Sequence, residues 1–321
     1  MDGMDFIKDR LSVIDKYVPR GSVVMFVDYP IHLNVGDILI MKGTEQFFRS
    51  RNYMVAHRYS MFGFPDSPKQ FPPLSKNTVI VMQGGGNFGD VYLRHQSLRN
   101  RVIEHYRDNR IVVFPQTMFF RDQAEMKRTA AIFSQHPDLH FMARDRKTYE
   151  TFRRRFSNNV EMCPDMAHAL WRQLPQARHS GKTLYMLRRD EESAALPPGM
   201  RETDGVDWDD LCRPADRFAA RLAVHSDQIN AKAGAKVIPV DAAWSRYTDA
   251  LFARIVRHFL RHDTIVTSRM HGHILGCLLG MKTTLLDNSY GKNSTYFQAW
   301  TSIVENCDLV AEPALPATAA M

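Results

Sequence analysis

The chain has 321 residues, 44% of them hydrophobic, and a formal net charge of +7 before its thirteen histidines are counted. At ~100–200 residues per domain that length suggests two domains, and no run reaches the ~18 apolar residues of a spanning helix. The basic residues form no dense tract, and Arg153-Arg154-Arg155 sits in a helical pattern; the excess therefore fits small anionic substrates better than a nucleic-acid surface, and no nucleic-acid partner is expected.

The first ten residues are polar and carry Asp2, Asp5 and Asp9. This is the wrong charge for a signal peptide, no apolar segment follows, and a cytoplasmic protein is expected. Short apolar runs then predict buried strands at Val23–Val27, Val79–Met82, Ile111–Phe114 and Leu139–Ala143, with a further strand-like run at Val160–Cys163. Helical patterns lie between them, at Asp37–Ser50, Gly89–Arg107, Asp122–Ser134 and Arg146–Phe156. Such alternation predicts βαβ units and a doubly wound parallel sheet.

The pattern loosens at Gln173–Lys182, which reads as a linker. Beyond it, strands are predicted at Thr183–Leu187, Val237–Asp241, Thr264–Thr267 and Thr283–Asp287, and helices at Asp241–Arg261 and His271–Leu279. Glu191–Ala235 is polar, irregular and left unplaced, and the Pro/Ala-rich end, Ala311–Met321, reads as a mobile tail. The expected division is a first Rossmann-like domain over 1–175, a second over 176–310 and the tail over 311–321. Cys163, Cys212, Cys277 and Cys307 are widely spaced with no CxxC pair, so neither a metal site nor a disulfide framework is expected.

Ligands of doubly wound sheets lie at the carboxyl ends of strands, so the motifs that follow strands carry the chemistry. Asn34-Val35-Gly36-Asp37 opens a helix, where Asp37 is either a cap or a site carboxylate. Gln83-Gly84-Gly85-Gly86-Asn87-Phe88-Gly89-Asp90 reads as a tight turn into a helix whose free N–H groups could meet an anion. It lacks the GK[ST] of a phosphate-binding P-loop, and Phe88 before Gly89 spoils a dinucleotide fingerprint. In Phe114-Pro115-Gln116-Thr117, Pro115 ends a strand and Gln116 points into the cleft. Arg144, in Ala143-Arg144-Asp145, stands where an anion would bind, and Pro164-Asp165 brings another carboxylate to a strand end.

The richest motif is Thr267-Ser268-Arg269-Met270-His271-Gly272-His273, between a β-branched strand and an apolar helix. A guanidinium grips carboxylate or phosphate bidentately, and a neighbouring His transfers a proton near neutral pH. Asp287-Asn288-Ser289-Tyr290-Gly291-Lys292 adds a cation after another strand.

This ordered set resembles the polysaccharide pyruvyl transferase family. The match rests on Gly36-Asp37, Gly84 to Asp90, Pro115-Gln116, Ala143-Arg144-Asp145, Pro164-Asp165, Ser268-Arg269-Met270-His271-Gly272 and Asp287 to Lys292, and spans about Asn34 to Trp300. The resemblance implies a GT-B-like fold with the site between two Rossmann-like domains, phosphoenolpyruvate as donor substrate on the side of the second domain, and a sugar with two nearby hydroxyls as acceptor on the side of the first. The product is then a cyclic pyruvate ketal plus phosphate, with no cofactor or metal. His271 and Arg269 match the family's donor pair, with Arg144 and Lys292 as further cationic contacts. Gly84, Gly85, Gly86, Asn87, Gln116 and Ser268 are expected to line the site, and Asp37, Asp90 or Asp165 to accept a hydroxyl proton.

A basic surface suits work beside an anionic membrane, where lipid-linked intermediates gather. A lipid-linked oligosaccharide acceptor and a peripheral position at the inner membrane face fit that charge. A GT-B glycosyltransferase using a nucleotide-sugar is the competing reading, since the same fold and a basic cleft would serve it.

Overall fold

The computed structural model describes residues 2–157, 159–190, 193, 201–287 and 291–310. It is a mixed α/β structure built on two sheets whose strand pairs are all parallel. In chain order the first segment runs α1 (Gly3–Arg10), β1 (Val23–Val27), α2 (Val35–Arg51), β2 (Met54–Tyr59), β3 (Val79–Met82), β4 (Gly85–Gly89), α3 (Leu93–His105), β5 (Ile111–Phe119), α4 (Gln123–Phe133), β6 (Leu139–Ala143), α5 (Arg146–Arg155) and β7 (Val160–Met162). The second runs β8 (Thr183–Met186), α6 (Trp208–Leu211), α7 (Pro214–Ala233), α8 (Val240–Phe259), β9 (Thr264–Thr267), α9 (Met270–Leu278), β10 (Lys282–Leu286), α10 (Lys292–Ala299) and β11 (Cys307–Val310).

The first sheet has the order β2-β1-β3-β5-β6-β7, with β4 also paired to β5. The direction of winding reverses between β1 and β3, which opens a crevice at their carboxyl ends. The second sheet has the order β11-β10-β9-β8. The apolar runs of β1, β3 and β6 are buried on both faces, as strands covered by helices require.

Three expectations need correction here. The glycine-rich element is not a turn into a helix: Gly85–Gly89 is itself a strand, and α3 starts only at Leu93. Gly89, at φ +135°, runs so close to β5 that a Cβ would stand 1.7 Å from the Phe119 carbonyl oxygen, an approach only glycine permits.

Pro115 does not end its strand, because β5 continues to Phe119. The missing N–H falls between Val113 and Gln116, where the register shifts and β5 exchanges β3 for β4 as its partner.

The predicted strand Val237–Asp241 is absent. Pro239 caps α8 and has no N–H for a ladder, and Ile238 is bound through its backbone to the Asn230 side chain at the end of α7. The stretch left unplaced holds α6 and the 20-residue α7 among its described residues. The predicted tail lies outside the described residues.

Candidate functional site

A cleft of about 350 Å3 is lined by side chains from both segments, at the small end of the ~300–1,000 Å3 typical of small-molecule sites. His32, Asn34, Asp37, Gly86, Asn87, His95 and Arg144 come from the first. Arg188, Asp190, Trp208, Arg269, Met270, His271, Lys292 and Asn293 come from the second. Arg144, Arg188, Arg269 and Lys292 face only Asp37 and Asp190 among these residues, so the lining is cationic.

Local sequence places each group. Asn34 caps α2 by accepting from Gly36 N at 3.0 Å, which sets Asp37 in the helix's first turn. Thr267 Oγ1 donates to Met186 O and accepts from Arg269 N, so α9 starts directly on β8 and β9. Gly272 permits that approach, since a Cβ there would lie 2.8 Å from Met186 Sδ. Asn293 Nδ2 donates to Ser268 O and Leu286 O, tying Lys292 and the start of α10 to both strand ends.

His271 is anchored from behind. Its Nε2 lies 3.4 Å from Asp165 Oδ2, and that oxygen also accepts from Arg144 Nη1 at 2.5 Å. Asp165 Oδ1 accepts from Ala167 N. Burial alone would raise the Asp165 carboxyl, but hydrogen bonding and charge from His271, with the Arg144 guanidinium, hold it far below the usual carboxylate range. It therefore stays ionised. Arg144 also donates through Nε to Thr117 Oγ1, while its buried Nη2 has no hydrogen-bond partner among the described residues.

That Nη2 and the Lys292 ammonium converge on Gly86: a Cβ added there would lie 3.1 Å from the first and 2.6 Å from the second. A bare backbone under two cationic donors is a cradle for an anion. Gly36 leaves similar room beside His271, because a Cβ there would stand 2.6 Å from His271 Nδ1. Gly36→Ala is expected to fold, since alanine favours the helix. Displacing the His271 ring should cost about 10- to 100-fold in turnover, which kcat together with a thermal melt would check.

Arg269 lines the cleft but is heavily engaged. Its Nε and Nη2 donate to Asp207 at 2.8 and 2.6 Å, and its Nη1 to Asp190 at 2.7 Å. Three of a guanidinium's five N–H groups are thus used, leaving two for a ligand.

Other expected residues sit behind the cleft. Gln116 does not point into it: the side chain is buried and donates to Gln83 O at 2.7 Å, which fixes the glycine-rich strand. Gly84 packs against Pro115 O. Ser268 is buried and accepts from Arg188 N. Gly85 lies within 3.5 Å of Asp37 Oδ1, measured from its would-be Cβ. Asp90 accepts from Arg121 N and Asp122 N and so clamps a loop, and it is absent from the lining. Asn288, Ser289 and Tyr290 lie outside the described residues.

The structure adds lining groups that the sequence reading missed: His32, His95, Arg188 and Asp190. It also brings together His273, Cys277 and Cys307, whose ligand atoms lie within 4.8 Å of one another, with the two sulfurs 3.4 Å apart. These side chains could hold a soft cation. Burial drives the His273 imidazole down to about 3 and the Cys277 thiol up, while the hydrogen bond with Cys277 lowers Cys307, and Thr301 Oγ1 lies 2.8 Å from His273 Nε2.

Comparisons with known proteins agree with this architecture. Residues 34–290 match the family model "Polysaccharide pyruvyl transferase". The chain is 37% identical over 305 residues to "Putative pyruvyl transferase EpsO" of Bacillus subtilis (strain 168), covering 95% of this chain and 93% of that one. It is 23% identical to "Pyruvyl transferase 1" of Schizosaccharomyces pombe, over 86% of this chain and 69% of that one. The crystal structure of a functionally uncharacterised protein from Klebsiella pneumoniae is similar in fold, with a TM-score of 0.58 at 17% identity, covering 97% of this chain and 99% of the other.

Proposed function

The chain belongs to the polysaccharide pyruvyl transferase family and is a transferase, and on that premise we propose that it moves the pyruvyl skeleton of phosphoenolpyruvate onto two hydroxyls of a sugar in an exopolysaccharide or capsule precursor. The products are a pyruvate ketal and phosphate. The observation that carries this reading is the anion cradle of Arg144 and Lys292 at Gly86, in the same cleft as His271.

In this mechanism Arg144, Lys292 and the remaining N–H groups of Arg269 hold the carboxylate and phosphate. His271 delivers a proton to the methylene carbon, and C2 gains oxocarbenium character. One sugar hydroxyl attacks C2, the C2–O bond to phosphate breaks, and a second hydroxyl closes the ring. Of the two hydroxyl protons, one is balanced by the new methyl hydrogen and the other by protonation of the departing phosphate. The cations neutralise charge on the leaving group. Of the three carboxylates considered from sequence, Asp37 lines the cleft and can take a hydroxyl proton.

The two parallel sheets support a division into two Rossmann-like units over 1–175 and 176–310, in a GT-B-like arrangement with the cleft between them. Since Arg144 and Gly86 belong to the first unit, the donor would be held by both. No helix among the described residues is long and apolar enough to cross a membrane. The +7 charge suits a peripheral position against an anionic membrane and a lipid-linked acceptor.

Lys292→Ala is the direct test of donor binding. Loss of one charge-assisted contact, worth ~1.5–3 kcal/mol, should weaken phosphoenolpyruvate binding about 10- to 100-fold by isothermal titration calorimetry. Unchanged affinity would remove Lys292 from the donor site.

A further inference from the structure

Asp28 closes β1 at the crevice of the first sheet, in a conformation few non-glycine residues adopt, with φ at +66°. Such backbone is kept where the surroundings hold it, and it gathers at functional sites. Here the side chain is 2% exposed and takes two partners: His95 Nδ1 at 2.7 Å and Arg99 Nη2 at 3.0 Å. An ionised carboxylate only accepts, so Nδ1 of His95 carries the proton, and the Asn87 amide 3.2 Å from it is a neighbour rather than a donor.

This tautomer leaves the Nε2 lone pair of His95 as a base. Among the described residues no partner occupies Nε2, and the imidazole lines the same cleft as His271 and Lys292. Ketal formation removes protons from two sugar hydroxyls, and the mechanism above names a carboxylate for one of them. Resting on that pyruvyl-transfer reading, we propose that His95, oriented by Asp28, is a second general base that takes the proton of an acceptor sugar hydroxyl at Nε2. His95 stands in the first turn of α3, Asp28 at the end of β1, and Arg99 locks the carboxylate one helical turn further on. The acceptor would therefore enter over the first sheet.

The charged and titratable neighbours of the imidazole are Asp28, Arg99, Asp37, His32, whose ring lies 6.2 Å away, and Tyr92, whose ring lies 6.3 Å away. Burial would lower His95, but the Asp28 charge and hydrogen bond outweigh it and raise it above the ordinary imidazole range. The neutral, basic form then grows in as pH rises through that raised value, giving the acceptor-dependent rate an acidic limb.

The test uses the enzyme, phosphoenolpyruvate, and a panel of galactosides, glucosides and mannosides. His95→Gln is expected to lower kcat about 100-fold or more with the phosphoenolpyruvate thermal shift unchanged, and to abolish the acidic limb of kcat/KM for the acceptor. Imidazole added to His95→Ala should restore part of the rate. In wild type, long-range 1H–15N spectra should show the His95 proton on Nδ1. Wild-type turnover with His95→Gln within threefold of it, and the acidic limb intact, overturns the role of His95 alone. No pyruvyl adduct and no phosphoenolpyruvate shift from wild type overturns the transfer reading, and the base with it.

Discussion

His271→Gln should lower turnover by about 10^2–10^4-fold, the usual worth of a positioned acid or base, while phosphoenolpyruvate still binds. The imidazole stands second in α9, beside the cationic cradle, with Nε2 against the ionised Asp165 and Nδ1 against the bare backbone of Gly36. Glutamine keeps a polar group of similar reach but has no titrating nitrogen, so it cannot deliver a proton to a methylene carbon. Donor affinity should change little, because the proposed anion contacts come from Arg144 and Lys292 rather than His271. Full turnover in His271→Gln would remove it as the acid, and lost donor binding would make it a binding residue instead.

The second large effect is on stability. Asp165 and Arg144 are both fully buried and share a 2.5 Å contact. Asp165→Asn leaves the guanidinium buried without its countercharge, and breaking such a pair costs about 3–5 kcal/mol. Its pH dependence has a definite sign. The folded carboxyl titrates far below its unfolded value, so its contribution is present above the unfolded pKa of ~3.9 and is lost as pH falls through the folded value. Urea denaturation should show the full deficit of Asp165→Asn at pH 7 and a narrowing gap below about pH 4. Equal stability at pH 7 would mean that the pair is energetically neutral.

Much of the fold was legible wherever burial on both faces left an uninterrupted apolar run. β1, β3 and β6 have the predicted bounds, and β9 does as well. β2 escaped because His57 and Arg58 break its pattern at the sheet's edge, where one side needs no partner strand. β4 was hidden by its composition: Gly85-Gly86-Asn87 has no strand propensity and is held by tertiary contact, chiefly Gln116 on Gln83 and the Gly89 approach to Phe119. α7 lay in a polar stretch, yet Pro214 at its first turn and Gly234 at its end, φ +64°, were start and stop signals that a closer reading could have used.

The site divides along the same line. Arg144, Asp165, Arg269, His271 and Lys292 follow strands or open helices, and the cleft gathers all but Asp165, which stands directly behind it. His95 stands inside the first turn of α3, and only the folded chain brings it near Asp28, whereas His32, in the loop after β1, pairs locally with Asp37. Asp28 itself, an acid directly after an apolar strand, was a usable signal. Asp90 resembled a site residue by position, but its carboxylate is satisfied by two backbone N–H groups of a neighbouring loop.

Pyruvyl transfer from phosphoenolpyruvate can be measured directly. Purified enzyme would be incubated with phosphoenolpyruvate and a panel of galactosides, glucosides and mannosides, with products read by mass spectrometry and phosphate release followed in parallel. A pyruvyl ketal on at least one sugar, with one phosphate released per adduct, is the expected result. No adduct, together with no thermal shift from phosphoenolpyruvate and a clear shift from a nucleotide-sugar, would contradict it and point to glycosyl transfer.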